Sequence, residues 1–119
     1  MQYMLLCYSD EKAWDAIPDA ERMEIMRCLD GIREELTRGR KLLGSGRLEP
    51  IAATTTVRER QGKWQVTDGP FAETKEQLGG FYLVECETAD EAAEIAGRLA
   101  AARPAGLFEV RPLRPTPYA

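Results

Sequence analysis

Tyr3-Met4-Leu5-Leu6-Cys7-Tyr8 carries a hydrophobic side chain at every position. In an extended chain successive side chains point to opposite faces, so Tyr3, Leu5 and Cys7 share one face and Met4, Leu6 and Tyr8 the other. A strand apolar on both faces is sheltered on both. The run Phe81-Tyr-Leu-Val-Glu-Cys86 reads the same way, with Phe81 and Leu83 against Tyr82, Val84 and Cys86. Two such strands belong at the centre of a sheet, and the remaining elements must supply a layer on each side of it.

The first long helix is expected from about Pro18, which suits a first helical position because its missing N–H costs nothing there. Asp19 and Glu21 favour its positive end. Met26, Leu29, Ile32 and Leu36 recur at helical spacing and give one apolar stripe. Gly39 is expected as a left-handed residue closing it, with Arg38 and Arg40 near the last carbonyls. A shorter helical turn is expected at Glu11 to Ala16. The second long helix opens on Thr88-Ala-Asp-Glu91, a capping box, and buries Ala92, Ile95, Ala96 and Leu99.

Between the helices, Leu42 to Leu48 is a strand interrupted by Gly44 and Gly46, the signature of a bulge or a close approach. Thr54 to Arg60 and Lys63 to Thr67 form a hairpin around Gln61-Gly62, with Trp64 and Val66 on one face, opposite Lys63, Gln65 and Thr67. Leu107 to Arg111 is the last strand, with Phe108 and Val110 inward and Glu109 and Arg111 on the other face. Pro112, Pro115 and Pro117 then stop further pairing.

The order β–α–β–hairpin–β–α–β predicts an α+β fold, a ferredoxin-like antiparallel sheet with two helices on one face. Two helices cover one face only. A second copy packed sheet to sheet is expected to cover the other; the alternative is a hairpin folded back over it.

The chain has 119 residues, 16 Lys+Arg against 20 Asp+Glu, and no histidine. It is read as one domain, 1–119. A net charge of −4 argues against direct nucleic-acid binding, which needs a basic face. No apolar run is long enough to span a membrane. The first residues lack the basic stretch of a secretory leader. Cys7, Cys28 and Cys86 are odd in number and lack C-x-x-C spacing, so they are read as small buried hydrophobes kept reduced in a cytoplasm. The absence of histidine excludes His-based triads, His-ligated zinc and a histidine general base. Proton transfer is left to Asp, Glu, Lys, Tyr or Cys. No metal site and no cofactor signature is expected. Gly44-Ser45-Gly46 lacks the lysine and following helix of a phosphate loop.

The unusual stretch is Asp68-Gly-Pro-Phe-Ala-Glu-Thr-Lys-Glu76, followed by Gln-Leu-Gly-Gly80. Asp-Gly-Pro predicts a tight turn, and Phe71 is expected to anchor it in the core. A rigid loop that presents Asp68, Glu73 and Lys75 at a strand end is a common way to display a site. Ser45 and Arg47 are candidate pocket residues beside two glycines. Arg111 is a candidate anion-binding group, with a cross-strand pair to a Glu as the equal alternative. Trp14 and Trp64 are read as packing groups, with a cleft mouth as the alternative place for Trp14.

This stretch resembles the signature of the DGPF (DGPFAETKE) proteins, within the YCII-related group. Tyr3-Met-Leu-Leu, Trp14, Thr54 to Arg58 and Glu109-Val-Arg-Pro112 match the same pattern. The resemblance implies a ferredoxin-like fold, a homodimer forming an α/β barrel, and a role near sigma-factor-type transcriptional regulation. It also implies an aspartate, here Asp68, that the broader group pairs with a histidine; this chain has none. Two functions follow as expectations. One is a module binding a small molecule or a regulatory protein beside Ser45, Glu73, Lys75 and Arg111. The other is a cofactor-independent isomerase or lyase with Asp68 as acid or base.

Overall fold

The computed structural model describes residues 1–115. Its strands are β1 (Gln2–Ser9), β2 (Leu42–Arg47), β3 (Thr55–Arg60), β4 (Lys63–Asp68), β5 (Gln77–Glu85) and β6 (Gly106–Pro112). Its α-helices are α1 (Glu11–Asp15), α2 (Asp19–Arg38) and α3 (Ala89–Ala102), and a 3₁₀ turn covers Ile51–Ala53. The main sheet runs β2-β5-β1-β6, and every neighbouring pair is antiparallel. With β3 and β4 set aside as an insertion, this is the ferredoxin-like order, with the two apolar strands β1 and β5 at the centre.

The register confirms the two-faced reading of those strands. Tyr3, Leu5 and Cys7 lie opposite Val84, Tyr82 and Gly80, and Leu5 and Cys7 lie opposite Val110 and Phe108 on the other side. This face meets the helices. Ile25, Leu29 and Leu36 of α2 and Ala92, Ile95, Ala96 and Leu99 of α3 close the core over it, with Leu5, Val84 and Leu99 fully buried. Ile25 joins the α2 stripe read from the sequence because it lies one turn before Leu29. The opposite face carries Met4, Leu6, Tyr8, Phe81 and Leu83, which are half-buried, and Leu107, which is exposed. Among the described residues no helix covers it.

The glycines of β2 and β5 fulfil both readings made of Gly44 and Gly46. The β2–β5 register slips between Leu42 and Gly44, a bulge. At Gly46 an added Cβ would sit 3.0 Å from the Phe81 ring, and at Gly80 one would sit 2.9 Å from the Gly46 carbonyl oxygen. The strands approach there because neither residue has a side chain.

Several expectations are corrected. The left-handed residue after α2 is Arg40 (φ 57), not Gly39 (φ −79). Arg40 N–H donates to Thr37 O and Lys41 N–H to Leu36 O, so the two-bond helix ending forms one residue later than expected. Pro112 does not end pairing: it lies opposite Tyr3, and Leu113 N–H still donates to Gln2 O at 2.9 Å. A proline ring blocks only the donor, and on an edge strand that donor can face away from the sheet. Pro117 lies outside the described residues. Cys28 is exposed, whereas Cys7 and Cys86 are buried. Helical spacing cannot tell Cys28 from its stripe neighbours, and it falls on the solvent side of α2.

The largest departure is the hairpin. The Gln61-Gly62 turn forms as read, both residues with positive φ (53 and 78). Yet β3 and β4 make a separate two-stranded sheet. Its apolar face is open too, with Trp64 81% and Val66 65% exposed. Phe71 does not anchor in the core; it is 83% exposed. The hairpin is an arm and does not fold back over the sheet. The radius of gyration is 16.3 Å, against about 13–14 Å for a compact chain of this length.

Candidate functional site

The site lies under α2, at the end of the sheet where β1 and β2 finish and β5 begins. Each side chain is held by a local cause. Asp10 caps α1 by accepting from Lys12 N–H (2.9 Å) and Ala13 N–H (3.4 Å). Glu11 N–H donates to Gln77 Oε1 (3.1 Å), and Glu11 Oε2 accepts from Ile51 N–H (2.9 Å). These bonds tie the short helix to β5 and to the 3₁₀ turn, and so fix Trp14 at the cleft mouth. Arg103 is the residue that ends α3. Its Nη2 donates to Ser9 Oγ at 2.9 Å, and its guanidinium carbon stands 4.3 Å from the Trp14 ring centroid. Arg47, the last residue of β2, stands 5.7 Å from the same centroid. An aromatic face attracts a cation at such distances.

Two cavities meet at these arginines. The inner one, about 120 Å³, is lined by Cys7, Met26, Leu29, Tyr82 and Phe108, with Ser45, Asp30 and Arg33 at its polar edge. The outer one, about 310 Å³, is lined by Ser9, Trp14 and Gln77 and by Glu11, Asp15 and Glu49. Arg47, Arg103 and Gly79 line both. The described acids are mostly engaged: Asp30 with Arg33 at 2.9 Å, Glu11 with the Ile51 amide. Neither Arg47 nor Arg103 forms an ion pair among the described residues, and the buried Arg103 Nε has no hydrogen-bond partner there.

The Cys7 thiol and the Tyr82 phenol in the cleft are poor proton carriers near neutrality. Burial pushes the Cys7 thiol up, against the pull of Arg103 and Arg47. Burial also pushes the Tyr82 phenol up. Both stay protonated at neutral pH, so neither acts as a ready nucleophile or base. The chemistry on offer is charge, an aromatic face and an apolar chamber.

The sequence-based candidates are dispersed. Ser45 lines the inner cavity beside Tyr82. Asp68 is the last residue of β4, exposed, on the arm. Gly69 makes the hydrogen bonds of that turn: its N–H donates to Thr54 O (2.7 Å), and its carbonyl accepts from Thr56 Oγ1 (2.6 Å). Gly69 has φ +95, which accounts for glycine there. Glu73 is exposed in the loop after the arm, and Lys75 borders a separate cavity of about 220 Å³ with Asp10, Lys12 and Gln77. Arg111 is on the open face of the sheet, opposite Met4. Beside it the Glu109 carboxylate pushes the Tyr8 phenol up. Arg103 and Ser9 were not singled out from the sequence. The spacing of Arg103 from Trp14 carries no local signal.

A sequence model of the YCII-related domain matches residues 1–117. An uncharacterized protein of Rhizobium meliloti (strain 1021) is 45% identical over 114 residues, which cover 95% of this chain and 92% of that one. With this match along nearly the whole chain, the protein belongs to the YCII-related domain family.

Proposed function

We propose that the protein is a binding module for a small molecule, held in the cleft between α2 and the sheet, and that it works as a homodimer. The observation that carries the binding reading is the convergence of Arg47 and Arg103 on Trp14 where the two cavities meet. A concave, mostly apolar chamber with a few fixed polar groups is the usual form of a ligand site. The DGPF-like sequence suggests a regulatory setting near sigma factors, where a sensor of this kind is at home. Asp68 stands exposed on the arm and borders none of these cavities, which favours binding over an Asp68-driven isomerase or lyase.

The dimer reading rests on the uncovered sheet face and the projecting arm. Met4, Leu6, Phe81, Leu83 and Leu107 make that face apolar, and Val57, Trp64 and Val66 line one side of the arm. Glu109 and Arg111 on the same face give opposite charges that pair across a twofold axis.

A thermal-shift screen of small metabolites on the wild type, Asp68→Asn and Ser45→Leu tests the binding reading. Leucine at position 45 fills the inner chamber. Compounds that raise the melting temperature of the wild type are expected to do so equally in Asp68→Asn and to lose their effect in Ser45→Leu. Loss in Asp68→Asn with retention in Ser45→Leu overturns the reading.

A further inference from the structure

The cleft also specifies the class of its ligand. We propose that the ligand is a small organic oxyanion, a carboxylate or phosphate ester on an apolar body no larger than an aromatic ring, with its anionic group between Arg47 and Arg103 and its body in the inner chamber. This rests on the binding reading above and goes further by naming charge, size and orientation.

Charge follows from the count of partners. The inner cavity is bordered by Arg33, Arg47 and Arg103 against one acid, Asp30, and Arg33 already holds Asp30 at 2.9 Å. Arg47 and Arg103 form no ion pair among the described residues, and both stand near one indole ring. Both arginines line the same two cavities, and an oxyanion at their junction takes paired N–H donors from them. Among the described residues the buried Arg103 Nε is a donor without an acceptor, and leaving such a group unsatisfied is costly. Nη2 of the same side chain is fixed by Ser9 (2.9 Å), so the guanidinium is already oriented. The outer cavity is different: Glu11, Asp15 and Glu49 border it, so the anion belongs at the junction and not at the mouth.

Size follows from volume. The inner chamber holds about 120 Å³, and an apolar cavity of about 150 Å³ accepts benzene. Its walls are the Cys7 thiol, Met26, Leu29, Tyr82 and Phe108, which offer a ring or branched alkyl group contact and little hydrogen bonding.

Matched probes test this on the full chain: benzoate and phenyl phosphate as ring-bearing anions, benzamide and benzyl alcohol as neutral ring compounds, and inorganic phosphate as an anion without a body. Binding is read by thermal shift on the wild type and by Trp14 fluorescence in a Trp64→Phe background. At least one ring-bearing anion is expected to bind saturably, about tenfold or more tighter than either neutral compound. Arg103→Gln and Arg47→Gln are each expected to weaken that anion about tenfold or more and to leave benzamide within about twofold. Arg47 is exposed, so its variant remains informative if Arg103→Gln misfolds. Which of benzoate and phenyl phosphate binds tighter separates the carboxylate from the phosphate source.

Neutral compounds binding as tightly as the anions, with no response to either arginine variant, overturn the ligand class and leave the binding reading standing. Inorganic phosphate binding as tightly as phenyl phosphate overturns the role of the inner chamber. No saturable response to any probe overturns the proposal and the binding reading together.

Discussion

Arg103 closes α3, crosses to Ser9, and lies against Trp14. Nothing in its neighbourhood of sequence marks it, because arginine at the end of a helix is favoured for the helix dipole alone. Trp14, Ser45 and Arg47 were legible as pocket residues, since an aromatic after a strand end and glycines beside polar groups have local meaning. Asp68, Glu73 and Lys75 form a conspicuous sequence motif, yet motif and cleft are separate objects here. Two outcomes are expected at this scale. Native protein is expected to expose one fast thiol to a disulfide reagent, Cys28, and three after denaturation, because Cys7 and Cys86 are buried and raised in pKa. A thiol count of three in the native protein contradicts the burial described. Gly80→Ala places a Cβ 2.9 Å from the Gly46 carbonyl oxygen, and backbone cannot swing aside as a side chain does. It is expected to destabilise by about 1–3 kcal/mol in denaturant unfolding; an unchanged midpoint contradicts the close approach of β2 and β5.

At the scale of elements, strands and helices followed the alternation and helical spacing of the chain closely. The buried face of α3 is the set read from the sequence, Ala92, Ile95, Ala96 and Leu99. One half of the capping box forms as read: Thr88 Oγ1 accepts from Glu91 N–H at 3.1 Å. The Glu91 carboxylate takes not the Thr88 N–H but that of Glu87, one residue earlier, at 3.3 Å, and pairs with Lys41 just before β2. A local motif could not show that second partner, 50 residues away. Glu35 of α2 and Arg98 of α3 join the helices in the same way, at 2.5 Å. Bonds from Arg98 and Lys41 hold the Glu35 and Glu91 carboxyls below the ordinary carboxylate range. A carboxyl lowered by folding stabilises the fold above its unfolded pKa, and that contribution is lost as pH falls through the folded value. Stability is therefore expected to decline on the acid side of the carboxylate range. Glu35→Gln and Glu91→Gln are expected to be less stable than the wild type at neutral pH and to show a shallower acid decline. Glu35 is exposed and Glu91 half-buried, and both pairs reach solvent, so each effect is small and fades with added salt. Acid profiles identical to the wild type contradict a role for these pairs.

For the whole molecule, the apolar pattern of β1 and β5 required cover on both sides of the sheet, and the helices supply one. The hairpin is where sequence reasoning met its limit. Alternation showed which side of it is apolar, but an alternating strand looks the same whether its apolar side meets its own core or another molecule. The protomer leaves Trp64, Val66 and Phe71 in the open and the face of Met4, Leu6 and Leu83 without a helix. We propose a second copy as the occupant, because it would present a matching arm and a matching face at once. Sedimentation of the full chain at micromolar concentration tests this most directly. Twice the chain mass of 13.3 kDa is the predicted result; a single well-behaved species at the chain mass would contradict it.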